Sequence, residues 1–130
     1  MEPNDLWRFL LIGYPVTIAV ETPILLLGLS PRHPFSRRLF AGIWLTACTY
    51  PIVVLVLPVL LLPNRPAYIV VAETFAPVAE CALFWTAFGR RDLRWRRPMW
   101  WDFAAITLAN ITSFAVGEMF ARRGWWDLLL

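Results

Sequence analysis

The chain has 130 residues, 59% of them hydrophobic, with a mean hydropathy of +0.59. Soluble domains are roughly 45–50% apolar, and here the excess comes in blocks of about 20 residues, the length that crosses a bilayer. The net charge of +3 is therefore not read as nucleic-acid binding, and a single histidine cannot supply the usual clustered metal ligands.

The apolar blocks predict an all-α integral membrane protein with four transmembrane helices, at residues 6–28, 39–62, 67–88 and 99–121. The connections are too short for a separate soluble domain, so residues 1–130 are read as one membrane domain. In the first block Tyr14, Thr17 and Glu21 share a helical face. The segment before it has no basic run, so the block is expected to stay in place rather than serve as a cleaved signal. In the second block Gly42, Thr46 and Thr49 share a face. The third carries Glu73, Pro77 and Glu80 at i, i+4 and i+7. The fourth carries Thr107, Asn110, Ser113 and Gly117, with Glu118 at the edge of that face. Lipid is a poor solvent for these groups, so the four polar stripes are expected to converge inside a bundle. Gly13, Ala72, Ala76 and Gly117 would let the helices approach closely.

All 12 basic residues are arginine. Eight lie in the first and third loops (Arg32, Arg37, Arg38, Arg90, Arg91, Arg94, Arg96 and Arg97) and four lie at the other end (Arg8, Arg65, Arg122 and Arg123). This bias puts loops one and three in the cytoplasm and both termini outside, as in a bacterial inner-membrane protein. Arg90, Arg91, Arg94, Arg96 and Arg97, with Trp95, form a candidate docking surface for anionic lipid headgroups or an acidic partner. The tryptophans fall mostly near span ends, as interface anchors do. Trp125 and Trp126 with the terminal leucines are expected to lie on the outer surface or against a neighbouring subunit.

The chain also reads as two parallel copies of a helical hairpin. Glu21, an arginine loop and the cluster Thr46–Thr49 correspond to Glu80, an arginine loop and the cluster Asn110–Thr112. Pro15, Pro23, Pro51, Pro58 and Pro77 each remove a helix hydrogen bond inside a span. Pro77 frees the carbonyl of Glu73, and Pro23 that of Ala19. Cys48 and Cys81 are mid-span and read as small apolar side chains, although a bridge between them is conceivable.

The most informative residues are Glu21, Glu73, Glu80 and Glu118, because a carboxylate in hydrocarbon is expensive and marks function by default. Counted at about 1.5 Å per residue, they form a ladder. Glu118 lies near the outer interface, Glu73 in the outer half, Asn110 near the middle, Glu21 and Glu80 in the inner half, and Asp102 near the inner interface. Apart from Arg8 near the start of the first block, no basic residue lies within the predicted spans, so these acids carry a proton, bind a cation or pair with a partner's arginine. The candidate polar pathway comprises Glu21, Glu73, Glu80, Asn110, Glu118, Tyr14, Thr46 and Thr49. His33, beside two prolines, reads as an interfacial loop residue. Ser113 has no histidine to activate it, and no phosphate loop or nucleophile elbow is present, so no catalytic residue, metal or cofactor is expected. The leading expectation is a non-catalytic accessory, scaffold or assembly subunit. Its partners would be membrane lipids and other membrane subunits or copies of itself. The alternative is a small transporter or channel for protons or cations. A binder of lipid or pigment and an intramembrane enzyme rank behind both.

Overall fold

The structure, a computed structural model, describes residues 2–61, 63–89 and 96–129, without the side chains of residues 96–98. Helix α1 runs Pro3–Gly28 and starts with proline in its first turn, where no backbone N–H is missed. The carboxylate of Asp5 accepts from the N–H of Glu2 at 3.2 Å, which caps this end. Helix α2 covers Phe35–Leu61 and follows Pro34. Helix α3 covers Arg65–Gly89. Asn64 caps it by accepting from the N–H of Ala67 at 3.2 Å. Helix α4 runs Arg96–Arg122, and a short α5, Trp125–Leu129, folds back from it. Between the last two, Gly124 has φ of 66°, a left-handed conformation that a side chain would strain. The first four helices are each long and apolar enough to cross a membrane.

The four long helices form a ring in which α1 packs on α2 and α4, and α3 packs on α2 and α4. Helices α1 and α3 are therefore diagonal, as are α2 and α4. One end of the bundle carries the loop after α1, the last turn of α3 and the first turn of α4. The other end carries both termini, the loop before α3 and helix α5. Toward the first end the interior is solid. Leu25, Leu29, Ala41, Leu45, Phe84, Ala105, Ile106 and Ala109 form its apolar core. Toward the terminal end the helices separate around a cavity.

Helix α2 changes pitch where that separation begins. Residues Ile52–Val56 form a wide π-helical turn, and the N–H of Leu57 bonds to the carbonyl of Ile52 rather than that of Val53. In this wider register the N–H for the carbonyl of Val53 would come from position 58, and Pro58 has none. The freed carbonyl of Val53 instead accepts from the hydroxyl of Tyr68 on α3 at 3.1 Å. Proline placement thus couples α2 to α3 through a side chain, as lipid requires of any exposed backbone acceptor.

The apolar core ends in an ordered cap at the loop end. Arg38 donates to the carbonyls of Leu26 at 2.6 Å, His33 at 2.9 Å and Ser30 at 3.0 Å. Trp101 Nε1 donates to the carbonyl of Gly28 at 2.6 Å. The carbonyls of Leu26 and Gly28 are among those the end of α1 leaves open, and those of Ser30 and His33 belong to the loop that follows. Cys48 and Cys81 are both free thiols. Arg90, Arg91 and Arg94, with the side chains of Arg96 and Arg97, lie outside the described residues, and so does the docking surface read from them.

Close approach of α1 and α2 depends on Gly42. A Cβ there would lie 2.6 Å from Thr22 Oγ1 and 3.1 Å from the Thr22 Cα, so backbone would have to move. We expect Gly42→Ala to destabilise the bundle by about 1–3 kcal/mol, as overpacking does. Loss of helicity in mixed detergent micelles measures this. An unchanged unfolding midpoint would mean that the two helices separate freely.

Candidate functional site

Two buried carboxylates lie on the boundary between the solid half and the cavity. Glu21 is 3% exposed and Glu80 is 2% exposed. They come from the diagonal helices α1 and α3, and their hydrogen-bond donors come from the other diagonal pair. Thr46 Oγ1 donates to Glu21 Oε2 at 2.8 Å, and Ser113 Oγ lies 2.5 Å from Glu21 Oε1. Thr49 Oγ1 donates to Glu80 Oε1 at 2.6 Å, and Asn110 Nδ2 donates to Glu80 Oε2 at 2.7 Å. Each acid is thus tied to both α2 and α4.

The pattern is regular. Thr46 and Thr49 are three residues apart on α2, and so are Asn110 and Ser113 on α4. Such spacing puts both members of a pair on one face. The first of each pair meets the glutamate of its own hairpin, and the second meets that of the other hairpin. Three other threonines in the spans behave differently. Thr74, Thr86 and Thr112 bond only to the carbonyl four residues back in their own helices.

The three hydroxyls in this layer have more acceptors than protons. Thr46 also reaches the carbonyl of Gly42 at 2.9 Å, Thr49 that of Leu45 at 3.1 Å, and Ser113 that of Asn110 at 3.0 Å. A hydroxyl has one proton and can also accept. An O–H on either carboxyl could therefore donate into the layer while the hydroxyl turns to its own helix.

Above this layer the cavity measures about 540 Å³ and extends to the terminal end of the bundle. About 22 Å of helix rise separates Glu80 from Arg65 at its mouth. Its walls are mainly apolar and aromatic, and Glu73 stands on the α3 wall. No hydrogen-bond partner for Glu73 is among the described residues. At the mouth Arg65 pairs with Glu118 at 2.9 Å, a contact open to solvent. Trp126 of α5 covers part of the opening. Its Nε1 donates to the carbonyl of Gly117 at 3.2 Å, and its ring lies 4.8 Å from that of Phe9. This tryptophan turns into the bundle rather than out over the surface, because Gly124 reverses the chain.

A second buried acid closes the opposite end. Asp102 is fully buried. Its Oδ1 accepts from the N–H of Ser30 at 2.8 Å. Its Oδ2 lies 2.9 Å from Arg32 and 2.8 Å from His33 Nε2. Arg37 approaches His33 Nδ1 at 3.3 Å, and an arginine can only donate. The Nδ1 is then the acceptor and Nε2 carries the proton given to Asp102. The imidazole edge also meets Phe84 at 5.1 Å between centroids. His33 is thus buried, not interfacial, because Asp102 on α4 offers it a partner distant in sequence.

The structure brings Glu21, Thr46, Thr49, Glu80 and Asn110 into one layer and puts Glu73 and Glu118 along the cavity above it. Tyr14 does not join them. Its hydroxyl donates to the carbonyl of Ile43 at 3.1 Å, and it lies off the cavity wall. Seven residues make nearly two full turns, so Tyr14 and Glu21 do share a face, and it is the carbonyl of Ile43 on α2 that draws the ring aside. Ser113, Tyr50 and Tyr68 do contribute to the cavity or its floor. Only Ser113 had a sequence signal, its spacing from Asn110. The two end acids meet arginines just outside the predicted spans, whereas the glutamates between them have none.

Among the described residues no group of three His, Cys, Asp or Glu side chains converges to hold a metal ion. No protein-family model, curated protein or solved structure matches this chain.

The two outer carboxylates differ in what they hold. Removing one partner of a buried pair costs about 3–5 kcal/mol. An exposed pair is worth about 0–1 kcal/mol. We therefore expect Asp102→Ala to lower unfolding stability in detergent by several kcal/mol and Glu118→Ala to change it little. Equal effects would mean that the Asp102 network does not hold the loop end together.

Proposed function

We propose that the protein is a small transporter that carries protons or cations through its cavity and across the Glu21–Glu80 layer. One observation supports this reading above others: two buried carboxylates from opposite helices stand at the closed end of a large cavity. A purely structural tie between helices could be made with neutral amides, which avoid the cost of a carboxylate in hydrocarbon. Here the acids face a space that a ligand can enter, and Glu73 stands between them and the mouth.

The hydroxyl geometry fits proton handling. When a carboxyl holds a proton it donates to a layer hydroxyl, which then donates to its own helix. When the proton leaves, the same hydroxyl turns to the carboxylate. The layer changes its donor directions with no helix displaced, so the barrier to loading and release is kept small. Asp102, His33 and Arg32 form the opposite closure, and movement of this cap would expose the layer from the other side. The arginine bias supports a topology with this cap in the cytoplasm and the cavity opening outside. A bacterial inner membrane is the setting that fits. The matched donor spacing on α2 and α4 supports descent of the two hairpins from one parallel repeat. We assign no catalytic step, metal or cofactor, and the arginines of the third loop would bind anionic lipid headgroups.

The test is flux into liposomes that contain the purified protein, read with an entrapped pH indicator. We expect Glu80→Gln to lower the flux at least tenfold and Glu73→Gln to lower it less. Thr74→Val, on an outward face, should leave it unchanged. Normal flux in folded Glu80→Gln protein would reject the pathway and favour the accessory or assembly subunit, with the acids serving only as ties between helices.

A further inference from the structure

We propose that the cavity binds an organic cation, with its charged head on the Glu21–Glu80 layer and its apolar body between Val16, Val20, Ile69 and Phe114. This inference rests on the transport reading in taking the cavity as the substrate path, and it names the substrate class. Three features of the cavity carry it.

The first is volume. A space of about 540 Å³ is far larger than a hydrated metal ion requires. It falls in the roughly 300–1,000 Å³ range of sites that enclose small organic molecules. No group of three His, Cys, Asp or Glu side chains converges among the described residues, so the carboxylates alone do not make a cage for a small inorganic cation.

The second is charge. Glu21, Glu73, Glu80, Glu118 and Asp127 all line the cavity. Arg65 is the cationic side chain among the lining residues, and it is engaged by Glu118 at the mouth. Below the mouth an anion would meet Glu73, Glu21 and Glu80, none of which has an arginine partner among the described residues. A neutral molecule would leave Glu73 without a partner. A cation is attracted along the whole length and meets the most deeply buried acids last.

The third is the wall. Tyr50 and Phe114 line the space between Glu73 and the floor, Tyr68 stands on α3 between Glu73 and Arg65, and Phe9 and Trp126 line it nearer the mouth. Aromatic faces attract ammonium and related cations, most strongly where water is excluded. The hydroxyl of Tyr68 is occupied by the carbonyl of Val53. Its ring is therefore held at the wall. An apolar body with a delocalised or quaternary charge meets both demands of this lining, since it needs no hydrogen bonds from the wall.

The probes are tetraphenylphosphonium and tetraphenylborate, which match in shape and differ in charge sign. Binding is measured on full-length protein in lipid nanodiscs by equilibrium dialysis, with empty nanodiscs subtracted. We expect saturable binding of one tetraphenylphosphonium per chain and none of tetraphenylborate. Glu80→Gln should weaken the phosphonium at least tenfold. Ala76→Phe, which fills the cavity but keeps every acid, should abolish it, and this variant decides the matter where Glu80→Gln fails to fold. Equal saturable binding of both probes, or phosphonium binding that survives Ala76→Phe, would overturn the inference. Flux measured on the same preparation separates the two readings. Glu80-dependent proton flux without phosphonium binding overturns this inference and leaves transport standing. Glu80-dependent phosphonium binding without any flux supports the cation site and removes transport.

Discussion

A carboxyl group inside hydrocarbon must receive its hydrogen bonds from its own protein, and the arrangement of this bundle follows from meeting that demand twice. Glu21 and Glu80 each take one donor from α2 and one from α4. Neither acid can be satisfied unless all four helices are in register. The layer therefore sets the rotation and depth of the helices relative to one another. Apolar packing in lipid would not do this alone, because lipid tails solvate leucine as well as another helix does.

On one side of that layer the chain behaves like a folded core. Small residues at Gly42, Ala41, Ala105 and Ala109 bring the helices together, and Asp102 ties the loop after α1 to the start of α4. On the other side larger side chains and the wide turn of α2 keep the helices apart. The prolines have two effects here. They shape the wall, and they free a backbone carbonyl that Tyr68 then satisfies. The result is a cup with a dense base, an acidic floor and an apolar wall. Its depth follows from the length of α3 above Glu80, and its cover from the reversal at Gly124.

The acids of the bundle fall into four classes by how they are compensated. Asp102 has arginine, histidine and backbone donors. Glu118 has one solvent-exposed arginine. Glu21 and Glu80 have only neutral donors, and Glu73 stands at the cavity with none among the described residues. Neutral donors stabilise a charge less than an ion pair does, and they also tolerate its loss. Such a layer is compatible with both protonation states of its carboxyls, and this property separates the floor from the two ends.

Much of the membrane architecture was legible in the order of residues. Apolar length predicted four helices of spanning length, and three- and four-residue spacing put Glu21, Thr46, Thr49, Glu80 and Asn110 among eight candidates for a polar interior. These signals are local, since helix rise and turn convert sequence distance directly into depth and facing. The same arithmetic failed where a side chain's direction depends on its neighbour. Tyr14 shares the stripe of Glu21 but turns to a carbonyl of α2, and Ser113 acquires its role only because α4 packs beside α1. His33 and Asp102 are 69 positions apart, so no periodicity links them. The order of residues was enough to place the four long apolar helices and to fix how far along each of them its polar groups stand. Tertiary structure alone decided that the acids from diagonal helices meet, that one half of the bundle is solid, and that the other half encloses a cavity. The reason is that hydrogen-bond partners and empty space are properties of packed surfaces, which local spacing does not encode.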